Sequence, residues 1–187
     1  MSHLTLLLGG ARSGKSSYAQ ELASACGGHV VYIATAEALD TEMEARIGFH
    51  RSDRPEDWET LEIPHGIGQA LRSRPIRAGV VVLDCLTMLV SNLLVSLSPD
   101  ENAPDENAAT QAVESEIKEL LAAIHAGQAT WIVVSNEVGM GLVPPYPLGR
   151  LYRDLLGKAN RQVAGAAGEV YLLVAGIPVP IHQFRTR

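Results

Sequence analysis

The sequence predicts one α/β domain, a mostly parallel sheet with helices on both faces. Three observations predict it. Short apolar runs alternate with stretches of helical rhythm, as parallel strands joined by crossover helices require. The first run, "LTLLL" (Leu4 to Leu8), is wholly apolar, as a strand buried on both faces should be. It meets a glycine-rich loop at once, "GGARSGKS" (Gly9 to Ser16), and a helical pattern follows. The 187 residues suit a single core, so the domain is taken as 1–187.

Each element follows in order. A helix is expected from Lys15 to Cys26, then a strand in "HVVYIA" (His29 to Ala34). "LDTEMEARIGFHRS" has a helical rhythm, with Leu39, Met43 and Ile47 spaced by four. "WETLEI" alternates as a short strand and "GIGQALRSR" reads as a short helix. "GVVVLDCL" (Gly79 to Leu86) is a buried strand that carries a carboxylate, Asp84. At about 96–111, "SLSPDENAPDENAATQ" repeats Pro99–Ala103 as Pro104–Ala108 and is expected to be a polar, mobile loop within the one domain. "TQAVESEIKELLAAIHAG" places Val113, Ile117, Leu120, Leu121 and Ile124 on a helix stopped at Gly127. A strand over Thr130 to Ser135, a helix in "GRLYRDLLGKANRQVAGAA" and a strand in "GEVYLLVAG" follow. "VPIHQF" is expected as a final edge strand, because Pro178 and Pro180 suit an edge better than a sheet centre.

Composition narrows the function. Hydrophobic residues are 47% and charged residues 19%, an ordinary globular profile. Lys plus Arg number 15 against 21 Asp plus Glu, a net charge of −6, which argues against a dedicated nucleic-acid binder. Cys26 and Cys85, both in apolar stretches, are too few for a disulfide framework, and a reducing cytoplasm is expected. The opening apolar run has no basic region before it and reads as a strand, not a signal peptide or membrane span.

Gly9 to Ser16 satisfies the pattern G-x-x-x-x-G-K-[ST] between a strand and a helix. Glycines let successive backbone N–H groups face phosphate oxygens. Lys15 adds a point charge, and Ser16 can ligate magnesium. Arg12 either assists a phosphate-rich ligand or pairs at the surface. Asp84, at the end of its strand, suits a carboxylate that holds Mg2+; the alternative is a helix N-cap.

His50 stands among Arg46, Arg51 and Arg54 in "ARIGFHRSDRPEDWETLE". A lone histidine is more often structural than catalytic. Here the arginines can form an anion pocket, and neutral imidazole is a competent nucleophile toward phosphorus. The other histidines show no zinc-ligand spacing, so no structural metal is expected. "SNEVGMGLVPPYPLGRLYRD" follows a strand end, where ligands gather in open α/β sheets. It can be a lid over a second substrate, a rigid connection or a subunit contact.

These pieces resemble one family. "GGARSGKS", "YIATAEALDTEMEARI", "HRSDRPEDWETLE", "LDCLTMLVSNLL", "SNEVGMGLVP" and "GRLYRDLLGKANRQVA" are similar, in this order, to the bifunctional adenosylcobinamide kinase / adenosylcobinamide-phosphate guanylyltransferases of cobalamin biosynthesis. The resemblance covers nearly the whole chain. It implies a P-loop NTPase with a RecA-like sheet, ATP and GTP as substrates with Mg2+, a corrinoid substrate and a homotrimer. It implies phosphorylation of the aminopropanol hydroxyl of adenosylcobinamide, then GMP transfer from GTP through a GMP–histidine at His50. It places guanine-nucleotide contacts on Gly9, Gly10, Ala11, Arg12, Ser13, Gly14, Lys15 and Ser16. Further contacts fall on Ala34, Thr35, Ala36, Arg51, Ser52, Asp53, Arg54, Glu62 and Asp84. Two departures are Phe49, a second histidine in some relatives, and Arg161, where a glutamine is common. The rivals are a simple P-loop kinase with an idle His50, and a nucleotide-switched binding module. The common switch GTPases carry an N-K-x-D run, which this sequence lacks.

Overall fold

The computed structural model describes residues 3–37, 48 and 54–185. The helical stretch expected around Leu39 to Ser52 lies outside the described residues, apart from Gly48.

The strands are β1 (Leu4–Gly9), β2 (Val30–Ala34), β3 (Glu59–Glu62), β4 (Val80–Asp84), β5 (Thr130–Val134), β6 (Glu169–Val174) and β7 (Ile177–Pro180). They form a 7-stranded sheet in the order β3-β2-β4-β5-β1-β6-β7. Every pairing is parallel except β6 with β7, which forms an antiparallel hairpin at one edge. The helices are α1 (Lys15–Cys26), α2 (Ile67–Ser73), α3 (Leu86–Leu97), α4 (Glu106–Ala126) and α5 (Pro147–Ala166).

Side-chain alternation along the strands divides the core. Leu4, Leu6 and Leu8 face one way, with Val31, Ile33, Val81 and Leu83, and pack under α2, α3, α4 and α5. Leu7, Tyr32, Ala34, Val80 and Val82 face the other way, against Ala19 and Ala23 of α1. Along α4, Ala109, Val113, Ile117, Leu120 and Ile124 are buried, the stripe that a 3.6-residue period presents to a core.

Four expectations need correction. The stretch at about 96–111 is helix from Glu106 onward. In the second repeat, the Asp105 side chain accepts from the Ala108 N–H at 2.9 Å and caps α4, which drew the repeat into the helix. The helix α3 was not foreseen, because its short, dense apolar runs do not distinguish a helix from a strand by period. It contributes Leu86, Leu89, Val90 and Leu94 to the core. The last edge strand spans Ile177–Pro180, and Ile181–Phe184 is a 3-10 helix instead. Cys26 is exposed despite its apolar neighbours in sequence.

Candidate functional site

The carboxyl ends of β1, β2 and β4 carry the expected site residues, at the sheet end where open α/β folds bind ligands. The Gly9–Ser16 loop joins β1 to α1. A Cβ on Gly9 would lie 2.6 Å from both the Leu173 carbonyl oxygen and Ser13 Oγ, so only glycine lets the chain pass. Gly14 (φ 93) is the N-cap of α1 and brings no side chain to the first-turn amides. A helix start left in this way presents its N–H groups to an anion.

Lys15 is buried, and its Nζ donates to the Gly10 carbonyl at 2.6 Å and to Ser13 Oγ at 3.4 Å. Desolvation lowers its pKa, while the negative charge of Asp84 works against that shift. Ser16 is half-buried in the first turn of α1.

Asp84 lies in register with Ala34 of β2. Alternation therefore puts it on the α1 face of the sheet, the face that also carries Tyr32. The Tyr32 hydroxyl donates to Asp84 Oδ2 at 2.5 Å. Asp84 does not cap α3: the N-cap is Cys85, without a side-chain cap. Arg54 lies with its Cζ 3.8 Å from the Tyr32 ring centroid, a cation–π contact.

Thr35 is pinned between strands. Its N–H donates to the Asp84 carbonyl at 3.1 Å, and its hydroxyl bonds to the Cys85 carbonyl and the Cys85 N–H, each at 2.7 Å. The Asn92 amide donates to the carbonyls of Thr35 at 2.8 Å and Pro64 at 3.1 Å. Ala36 is half-buried beyond it, and Glu62 ends β3 beside Ala34. His50, Arg51, Ser52 and Asp53 lie outside the described residues.

The segment after β5 is tied to the glycine-rich loop, for the Glu137 N–H donates to the Gly9 carbonyl at 3.0 Å. Buried Asn160 accepts from Ser135 Oγ at 2.6 Å and donates to the Asn136 carbonyl at 3.0 Å. Thr87 Oγ1 accepts from the Asn136 N–H at 2.8 Å. Beyond these anchors, Met140, Leu142 and Val143 are exposed, while Leu148 packs against the core of its own chain.

Sequence reasoning missed Tyr32, Asn92 and Gly176. Tyr32 carried a signal: a tyrosine inside an otherwise aliphatic buried strand needs a partner for its hydroxyl. The other two depend on neighbours far along the chain.

The sheet and its covering helices define a mixed α/β protein with a mostly parallel sheet. The crystal structure of the RadB recombinase superposes with a TM-score of 0.50 at 14% identity, over 91% of this chain and 73% of that one, a likeness of fold alone. A family model described as cobinamide kinase / cobinamide phosphate guanyltransferase matches residues 5–181. The bifunctional adenosylcobalamin biosynthesis protein CobU of Escherichia coli (strain K12) is 44% identical over 181 residues, 95% of this chain and 99% of its own length. That of Salmonella typhimurium (strain LT2) is 41% identical over 181 residues, with 95% and 99% covered. The bifunctional protein CobP of Pseudomonas aeruginosa is 40% identical over 176 residues, 94% of this chain and 95% of its own. The chain belongs to this family of bifunctional kinase and guanylyltransferase enzymes. No described helix is long and apolar enough to cross a membrane.

Proposed function

We propose that the chain is a P-loop enzyme that phosphorylates the aminopropanol hydroxyl of adenosylcobinamide from a nucleoside triphosphate. It then transfers GMP from GTP to adenosylcobinamide phosphate through a GMP–histidine at His50, releasing pyrophosphate. The observation that carries this reading is the convergence of Lys15, Asp84 and Arg54 at the carboxyl end of the sheet, in a chain of this family.

In the guanylyl step, an imidazole nitrogen of His50 attacks the α-phosphorus of GTP. The bond from that phosphorus to the bridging oxygen breaks, and pyrophosphate leaves. A phosphate oxygen of adenosylcobinamide phosphate then attacks the same phosphorus, the P–N bond breaks, and the bonding pair returns to nitrogen, so that the phosphorylated imidazolium is released as neutral His50. The covalent intermediate divides an encounter of two anions into two easier steps. Arg54 and Arg51 stabilise charge on the α-phosphoryl oxygens. In the kinase step Lys15 and the loop amides stabilise the γ-phosphoryl group as it passes to the hydroxyl.

Mg2+ fits the donors present. Ser16 and Asp84 are hard oxygen ligands, few in number, as suits an ion that keeps waters and phosphate oxygens. Among the described residues no three His, Cys, Asp or Glu form a metal cage. Ser16 and Asp84 would hold the ion, which would neutralise charge on the bound phosphates.

The exposed apolar side chains after β5 support a subunit contact at that segment, and the family resemblance makes the assembly a homotrimer. Incubation with GTP labelled at the α phosphate tests the chemistry: the protein should retain an acid-labile, base-stable label. A kinase without guanylyl transfer would retain none.

A further inference from the structure

We propose that Tyr32 is a positioning residue that couples the two charged halves of the site, its hydroxyl orienting Asp84 and its ring carrying Arg54. The inference rests on the roles of Asp84 and Arg54 given above.

Tyr32 is 2% exposed, in a strand whose buried neighbours are Val30, Val31, Ile33 and Ala34. Packing at that place calls for a large ring and not for a hydroxyl. What the phenol adds is one hydrogen bond, 2.5 Å long, to Asp84 Oδ2. The donor sits on a buried strand, so it restricts the carboxylate rotamer while occupying only one of its two oxygens. Outer-shell bonds of this sort orient the ligands of metal sites.

The ring does separate work. Arg54 Cζ is 3.8 Å from its centroid, and Trp58 lies beside it with ring centroids 6.4 Å apart. A guanidinium held by a ring face keeps its positive charge and its in-plane N–H donors. One held by a carboxylate would have its charge offset and some of its donors occupied by that partner. Arg54 Nε is buried and has no hydrogen-bond partner among the described residues. Such a donor suits an anionic oxygen. Tyr32 therefore sets the carboxylate on one side and the cation on the other, both through one rigid side chain.

Two variants separate the arms. Tyr32→Phe keeps the ring and removes the hydroxyl; Tyr32→Leu removes both. GTP affinity is titrated with and without Mg2+, and histidine guanylylation is measured relative to kinase turnover. Tyr32→Phe should raise the Mg2+ concentration needed for half-maximal GTP binding by about tenfold, in the range for outer-shell mutations, with Mg2+-free affinity unchanged. Tyr32→Leu should also lower the guanylylation-to-kinase ratio by roughly tenfold. Arg54→Leu should lower the ratio alike, and the double variant should add nothing further to it. An unchanged Mg2+ requirement in Tyr32→Phe would overturn the hydroxyl's role. Additive losses in the double variant would overturn the ring's role, and because Arg54→Leu reads that arm from the other side, an unchanged ratio there would do the same if a Tyr32 variant failed to fold. No GMP label on the wild-type enzyme would instead overturn the functional reading beneath.

Discussion

Gly14 and Gly176 touch across the site: a Cβ added to Gly14 would lie 3.2 Å from the Gly176 Cα. Gly176 turns the β6–β7 hairpin at φ 82, and its N–H donates to the Ser13 carbonyl at 3.0 Å. The antiparallel edge of the sheet thus braces the glycine-rich loop. Gly14→Ala combines a strained positive φ with a tight approach to the Gly176 backbone and should cost about 1–3 kcal/mol. That lowers Tm by several degrees for a chain of this size, and nucleotide affinity should weaken too. At Gly176 an added Cβ meets nothing within 4 Å, so Gly176→Ala carries only the φ cost, about 1 kcal/mol. Calorimetry with nucleotide titration checks both. Wild-type Tm and affinity in Gly14→Ala would show that the brace is idle.

Lys15 serves both reactions in this account. Lys15→Ala should reduce kinase and guanylyltransferase turnover together, each by about 10²-fold or more. Loss of one activity with the other intact would mean separate nucleotide sites. Burial lowers the lysine pKa from 10.5, so the ammonium is lost earlier as pH rises. Nucleotide affinity should therefore begin to fall below pH 10.5, and Lys15→Ala should lack that fall.

The two thiols should separate in reactivity. Cys26 is exposed, whereas burial, and then the nearby Asp84 charge, push the Cys85 thiol up to about 12. Cys85 is only half-buried, so a thiol reagent at neutral pH should modify it in the native enzyme, but far more slowly than it modifies Cys26. Rapid modification of both would contradict the packing around the β4–α3 junction.

The sheet was legible because buried parallel strands are short apolar runs, as in "LTLLL" and "GVVVLDCL". The loop was legible because its residues are contiguous. The helix α3 was not, since the short apolar runs in "LTMLVSNLLVSL" fit a buried strand and a helix alike. The second "PDENA" looked like coil because Asp and Asn favour turns, yet the same chemistry makes Asp105 a helix cap. The Tyr32–Asp84 bond joins residues 52 apart in sequence, and the site's order depends on such pairs. The spacing around His50 suggested an anion pocket, but only Arg54 of that cluster falls among the described residues.

Assembly should bury the segment after β5. Leu142 is 96% exposed, with Met140 and Val143 beside it. Sedimentation equilibrium should give about three times the chain mass of 20.0 kDa. Leu142→Asp should weaken assembly by several kcal/mol, because it places an unpaired carboxylate at a desolvated contact. A monomer with full guanylyltransferase activity would assign the apolar segment to the corrinoid instead.

The central claim is that one nucleotide grip feeds a covalent guanylyl transfer at His50. The most direct test incubates the enzyme with Mg2+ and GTP labelled at the α phosphate, then quantifies protein-bound label in the wild type, His50→Ala and His50→Asn. The wild type should carry an acid-labile, base-stable label that adenosylcobinamide phosphate discharges. Neither variant should carry label, with GTP binding largely retained, since neither a methyl group nor an amide can attack phosphorus. Full labelling of His50→Ala, or none on a wild type that binds GTP, would contradict it.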